Sequence, residues 1–378
     1  MYSDRLEFTP IIITWVTFTS FYPDMLARIK MKKWGLARAA IAKLDGITNT
    51  LTDPQIMVNT ISLQEAKESS KIENIVTTTD ALYEAMALSA DENKSDATKE
   101  VLRYRESLME GMHLVKNSGQ LDKELLVRLF QIIKESTAGI RTDLQEVYLK
   151  QGGSGTRATE RIYTPPSGNA LLNEKLDNLI DYLNDDTHYP DDPLLKMVVA
   201  HYQFEAIHPY IDGNGRAGRV ANVLYLVSKG ILKYPVAYFS RYINQHKEDY
   251  QYLIKGVTER QAWKPWLLFM LEAVESTANY TIHKIEQINE LREKVIDYVR
   301  ERDSKIDKEY IEAIFTRPYI KSVHLSDNDR YKVKNRKTAT SILDKLVALG
   351  ALDPPKKIGR EIVYINSTLI NILSDNDD

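Results

Sequence analysis

Between Asp192 and Gly230 the chain spells two apolar helical patterns separated by a stretch that no helix can cross. Asp192-Pro193 reads as an N-cap followed by proline at the first helical position. Leu194, Leu195, Val198, Val199, Tyr202 and Ile207 recur at helical spacing, which runs that helix out at His208. Pro209 and the glycines that follow break the chain. From Arg216 a second pattern resumes through Val220, Val223, Leu224 and Val227, and Gly230 stops it as a C′ glycine. The segment predicts a loop between two helices, with its glycines at the second helix's N-terminus. Backbone N–H groups without helical partners, and the positive end of the helix dipole, make that place an anion site.

The loop's residue types point to phosphate chemistry. Gly213 and Gly215, on either side of Asn214, let the backbone approach a phosphate with no Cβ in the way. Asp212 can hold a divalent cation that bridges phosphate oxygens. Arg216 and Arg219 lie three apart on one helical face and can both reach the far phosphates as forked donors. His208 is then placed to take a proton from an incoming hydroxyl. The combination reads as nucleotidyl transfer. Residues 213–218 also spell G-x-G-x-x-G, but the dinucleotide-binding fingerprint needs a preceding strand and an acidic residue about 20 positions on. Here the preceding segment is helical, and no Asp or Glu occurs between Val220 and Lys247. The bland alternative is a tight polar connection around a buried histidine. It leaves two arginines and an aspartate to be buried, which is costly unless they are paired or bound to something.

The run His208-Pro209-Tyr210-Ile211-Asp212-Gly213-Asn214-Gly215-Arg216-Ala217-Gly218-Arg219 resembles the signature H-P-F-x-[D/E]-G-N-G-R-x-x-R of the Fic family (Fido fold). The single departure is Tyr210 for phenylalanine, which keeps the ring and adds a hydroxyl that needs a partner. Phe204-Glu205-Ala206-Ile207 is similar to the family's run into the motif. The resemblance implies a protein adenylyltransferase that moves AMP from Mg-ATP onto a Ser, Thr or Tyr hydroxyl of a target protein or of itself. It makes His208 the catalytic base and Asp212 the magnesium ligand. Gly213, Asn214 and Gly215 become the phosphate-binding turn, and Arg216 and Arg219 the triphosphate holders.

Three further segments gain meaning beside that motif. On a helix Ser69 and Glu73 share a face. With Asn74 they match the family's inhibitory pattern [S/T]-x-x-x-E-[G/N], in which the glutamate pairs with the second arginine, here Arg219. Gln151 to Arg157 is glycine-rich and precedes the β-prone Arg161-Ile162-Tyr163, a hairpin or loop signal. The family places there a hairpin flap that registers the target by strand pairing, so Arg161, Ile162 and Tyr163 are the target-binding candidates. Tyr250 is the candidate to lie against the adenine, with a core aromatic as its alternative.

Length and composition fit this frame. At 378 residues two or three domains are expected. The expected fold is mainly α: a helical Fic bundle with a β-hairpin flap, an N-terminal helical region and a C-terminal winged helix-turn-helix. The expected segments are an arm at 1–29, the inhibitory region at 30–110, the catalytic domain at 111–275, a helical linker at 276–300 and the winged helix at 301–378. With no cysteine, disulfides and thiolate chemistry are excluded and a cytoplasmic setting fits; a net charge of −3 is that of a chain not broadly basic. The window from Pro10 to Pro23 is too short to span a membrane and makes a poor signal peptide. It suits a packed arm, or lies ahead of a start at Met25. Arg330, Lys332, Lys334, Arg336 and Lys337 form a basic run where a DNA-reading helix would start. Yet residues 301–378 hold 14 Lys and Arg against 13 Asp and Glu, little excess for a phosphate-binding face. A protein-docking or homodimer module is therefore preferred over DNA binding. Two rival readings remain: a nucleotide-sensing transcription regulator, and removal of AMP or transfer of another phosphate-linked group at the same site.

Overall fold

The computed structural model describes residues 31–49, 51, 54–87, 94–142, 145, 147, 149–150, 161–328, 331, 333 and 335–374. The N-terminal arm and Met25, the glycine-rich stretch 151–157, Arg330, Lys332, Lys334 and the acidic tail 375–378 lie outside the described residues. In chain order the elements begin with helices α1 (Met31–Asn49), α2 (Gln55–Ile72), α3 (Thr79–Ala87), α4 (Asp96–Ser118) and α5 (Lys123–Lys134). Strands β1 (Leu149–Lys150) and β2 (Arg161–Tyr163) precede α6 (Asn169–Asn184), α7 (Pro193–Ile207), α8 (Asn214–Ser228), α9 (Phe239–Gln245), α10 (Lys247–Arg260) and α11 (Trp263–Arg302). The C-terminal part adds α12 (Lys308–Thr316), β3 (Tyr319–Ile320), α13 (Ser322–Ser326), α14 (Arg336–Ala348), β4 (Lys356–Ile358), β5 (Glu361–Ile365) and α15 (Ser367–Leu373).

The chain packs as two units. One takes in the residues up to Ala42, Glu106–Pro235 and Phe239–Thr277, and centres on the α7–α8 pair. α7 is apolar on nearly every face (Leu194, Leu195, Met197, Val198, Val199 and Ile207 are all buried), so it can only be an interior helix. Asp192 caps it by accepting from Leu194 N–H at 2.9 Å, with Pro193 at its start, as the sequence predicts. α6 and α8 pack on α7, and α5 packs on α8 through the stripe Leu125, Leu126, Leu129, Phe130 and Ile133. Trp266 of α11 is fully buried and donates from its indole N–H to the Val198 carbonyl at 3.2 Å, fastening α11 to α7. Antiparallel β1 and β2 pair Leu149 with Tyr163 and Lys150 with Arg161, the short hairpin expected ahead of the motif.

The other unit holds Lys43–Arg105, Val236–Tyr238 and Ala278–Asp378. There α12, α13 and α14 are followed by the antiparallel β4–β5 hairpin, which β3 extends to the sheet order β3-β5-β4. This is the order of elements in a winged helix-turn-helix. Asn335 caps α14 by accepting from Thr338 N–H at 2.9 Å, and Gly350 ends it at φ 75°. The sequence reading finds α12, α14 and the hairpin but misses the short pieces β3, α13 and α15. Among the described residues no helix is long and apolar enough to cross a membrane.

Candidate active site

The loop between α7 and α8 is built from its backbone outward. The last carbonyls of a helix have no helical partner; here the carbonyls from Phe204 to Tyr210, running off the end of α7 into the loop, each meet a donor or a ring nitrogen. Phe204 O accepts from His208 N–H at 3.0 Å, and Glu205 O lies 3.3 Å from His208 Nδ1. Ala206 O accepts from the Tyr163 hydroxyl at 2.7 Å. Ile207 O accepts from Arg141 Nη2 at 3.3 Å, His208 O from Arg141 Nε at 2.8 Å, and Pro209 O from Arg141 N–H at 2.9 Å. Tyr210 O accepts from Asn214 Nδ2 at 2.8 Å, and Asn214 Oδ1 takes Tyr210 N–H at 2.9 Å in return. The Asn214 side chain is thus a buried clamp across the loop.

His208 sits in the left-handed region at φ 50°, ψ 60°. That conformation costs a non-glycine residue on the order of 1–2 kcal/mol, and the surrounding bonds hold it there. A carbonyl oxygen can only accept, so the contact to Glu205 O assigns the imidazole proton to Nδ1. Nε2 is then the nitrogen with the lone pair, the one a base uses.

Gly213 opens α8 at φ 80°, and a Cβ there would lie 3.2–3.3 Å from the aliphatic stem of Lys134. Arg216 and Arg219 follow on the first turns of α8, each only 2% exposed. Asp212 is placed by its own loop: its carboxylate accepts from Gly213 N–H at 2.7 Å and pairs with Lys134 Nζ at 2.6 Å, with Arg216 Nη2 at 3.8 Å. Partial burial pushes the Asp212 pKa up. The Lys134 bond and charge, the Arg216 charge and the Gly213 N–H outweigh it and hold the carboxyl below its ordinary value. An ionised, largely exposed carboxylate is the hard oxygen donor that a magnesium ion shared with phosphates requires. The residues present therefore fit such an ion.

The structure brings His208, Asp212, Gly213, Asn214, Gly215, Arg216 and Arg219 into one loop and helix start. Tyr210 is fully buried with its ring stacked on Phe130, centroids 4.2 Å apart. Tyr163 ends β2 with its hydroxyl spent on Ala206 O, while Arg161 pairs its backbone with Lys150. Ile162 lies between them in the strand. Tyr250 is buried, its hydroxyl is 2.9 Å from His201 Nε2, and its ring packs against Trp266 and Phe269. These are the surroundings that the core-aromatic alternative weighed above describes. In the other unit, α2 stops at Ile72, one residue short of Glu73. Ser69 is buried within the helix, whereas Glu73 and Asn74 are exposed beyond it. Ile75 N–H reaches Ser70 O and Asn74 N–H reaches Lys71 O, both at 3.0 Å, with Asn74 at φ 63°. This is a Schellman stop, and it gives the Gly-or-Asn position of the inhibitory pattern a physical reason.

Sequence reasoning misses Arg141 and Lys134. Arg141 follows the break after α5 in Ala138-Gly139-Ile140-Arg141, and nothing in its local spacing marks it.

A glycine turn at a helix start, flanked by a carboxylate, two buried arginines and an imidazole, is an arrangement suited to phosphate, set in a mainly helical protein. Family models agree along the chain. The Fic/DOC family N-terminal model matches residues 31–113, the Fic/DOC family model residues 120–226, and the model described as "Protein adenylyltransferase SoFic-like, C-terminal domain" residues 291–369. The chain belongs to the Fic family. The protein adenylyltransferase fic-1 of Caenorhabditis elegans is 35% identical over 81 residues, a match covering 20% of this chain and 16% of that protein. The protein adenylyltransferase Fic of Drosophila willistoni is 29% identical over 112 residues, 30% of this chain and 21% of that one. The chain thus aligns with well under half the length of these relatives. A Fic family protein from Desulfovibrio desulfuricans G20 shares the fold with a TM-score of 0.54 at 18% identity, covering 88% of this chain and 95% of that one.

Proposed function

We propose that this protein transfers AMP from ATP to a hydroxyl of a protein, with Glu73 as a built-in inhibitor. The observation that carries the reading is the geometry of the loop: His208 ends α7 in the left-handed conformation, and the glycine-started α8 that follows carries Arg216 and Arg219 on its first turns. The N–H groups of the first turn of α8 hold the phosphates, with Gly213 and Gly215 allowing close approach. Arg216 and Arg219 reach the outer phosphates as forked donors. Asp212 would hold the divalent ion, magnesium on this reading, that accompanies ATP and spreads the phosphate charge when bound. The target hydroxyl gives its proton to His208 Nε2 as its oxygen bonds to the α-phosphorus. The bond from that phosphorus to the bridging oxygen breaks, and pyrophosphate leaves with the electron pair. The β1–β2 hairpin, with Arg161 and Ile162, is the edge on which an extended target segment would register.

Incubation with α-labelled and with γ-labelled ATP tests the reading. Label should be retained on protein only from the α position, and His208→Ala should abolish it while ATP still binds. Retention of γ-label, or a fully active His208→Ala protein, overturns the proposal.

A further inference from the structure

The carbonyls of Ile207, His208 and Pro209 are all bonded by one residue, Arg141, 67 positions upstream of His208. Its guanidinium also donates to Pro166 O, beyond β2, so it ties the segment around the hairpin to the end of α7. Arg141 is 1% exposed, and among the described residues its side chain is bonded to carbonyl oxygens alone. A buried cation without a carboxylate is costly. What its fork obtains here is the negative end of the α7 dipole, the carbonyls of the last residue Ile207 and of the C-cap His208. Burial lowers the Arg141 pKa, and the nearby Tyr163 opposes it. The Tyr163 hydroxyl satisfies the next carbonyl inward, Ala206 O, from the same hairpin. The base is therefore held in its left-handed conformation by groups contributed from the hairpin side, not by its own helix alone.

We propose that Arg141 is the positioning residue for the catalytic base: its fork fixes the His208 backbone so that Nδ1 stays on Glu205 O and Nε2 faces the acceptor hydroxyl. The inference rests on the AMP-transfer reading for its rate consequence, but its geometric part stands without it. Lysine keeps the charge and most of the stem but has no planar fork, so it cannot serve Pro166, Ile207 and His208 together. Arg141→Lys separates positioning from charge.

The test uses the full chain with 15N-labelled histidine, wild type and Arg141→Lys. In the long-range proton–nitrogen spectrum, wild-type His208 should show a single tautomer with the proton on Nδ1. Arg141→Lys should show mixed tautomers while ATP affinity stays within about twofold. AMP transfer should fall at least tenfold in kcat with KM for ATP unchanged, because small misplacements of a reacting group cost up to about 100-fold. An unaltered tautomer, or a loss of transfer that merely tracks loss of ATP affinity, overturns the proposal. Absence of transfer by the wild type refutes the functional reading while the spectrum still decides the role of Arg141. Should Arg141→Lys not fold, Tyr163→Phe takes its place, with a smaller tautomer change expected and an unaltered spectrum counting against the proposal.

Discussion

Tyr210 stands where the Fic signature has phenylalanine, and its surroundings suit phenylalanine better. The ring stacks on Phe130 at 4.2 Å, while the hydroxyl is buried and lacks a hydrogen-bond partner among the described residues. Burial alone pushes its pKa far up. A buried, unpaired hydroxyl costs about 1–3 kcal/mol, and removing it without changing shape is neutral or stabilising. Tyr210→Phe should therefore raise stability by about 1 kcal/mol in a denaturant titration, with the slope unchanged. A loss of stability would mean that the hydroxyl is served by ordered water and that the exchange from phenylalanine has its own support. The sequence made this question visible, because the departure from the motif is local. It could not answer it, since the neighbour Phe130 arrives from α5 through folding.

At the scale of elements, the α7–α8 pair was legible because each piece of its chemistry is contiguous: a proline start, a periodic apolar face, a glycine stop. Contacts between distant segments were not. Lys134 on Asp212, Arg141 under His208 and Tyr163 on Ala206 join residues far apart in the chain, and nothing in their local spacing announces it. Tyr250 is another case: its spacing shows an aromatic but not the tertiary neighbours His201 and Trp266 that it packs against. That packing has a measurable consequence between α7, α10 and α11. His201 is buried beside Arg219, and burial first, then that charge, lowers its pKa to about 3. An unfolded histidine takes a proton below about 6.5. Between these values the unfolded chain binds a proton that the folded one refuses, so stability falls as pH falls. The slope from this group approaches about 1.4 kcal/mol per pH unit. His201→Gln retains a polar partner for Tyr250 and does not titrate. The difference in unfolding free energy between wild type and His201→Gln should narrow or reverse in the variant's favour from pH 6.5 to pH 4.5. A difference independent of pH would show that His201 takes up its proton in the fold as readily as in the unfolded chain.

For the molecule as a whole, the proposed regulation asks residues of separate packing units to act on one substrate, with Glu73 in one and Arg219 in the other. Glu73 is suited to be a switch by its place in the chain. It is exposed, it follows the last residue of α2, and the Schellman stop is carried by the backbone of Ser70, Lys71, Asn74 and Ile75. Its own φ of −90° is open to any residue, glycine included. Glu73→Gly should therefore leave the melting temperature within about 2 °C of wild type, as surface substitutions usually do. Its effect on transfer should be large. On this reading the carboxylate competes with the γ-phosphate for the fork of Arg219, and a hydrogen bond between charged groups is worth about 1.5–3 kcal/mol. Freeing that fork should raise AMP transfer roughly 10- to 150-fold. The gain should vanish in Glu73→Gly combined with Arg219→Ala, because the glutamate then has nothing to release. Equal labelling by wild type and Glu73→Gly, with ATP bound by both, would separate the inhibitory role from the catalytic one and leave only the latter standing.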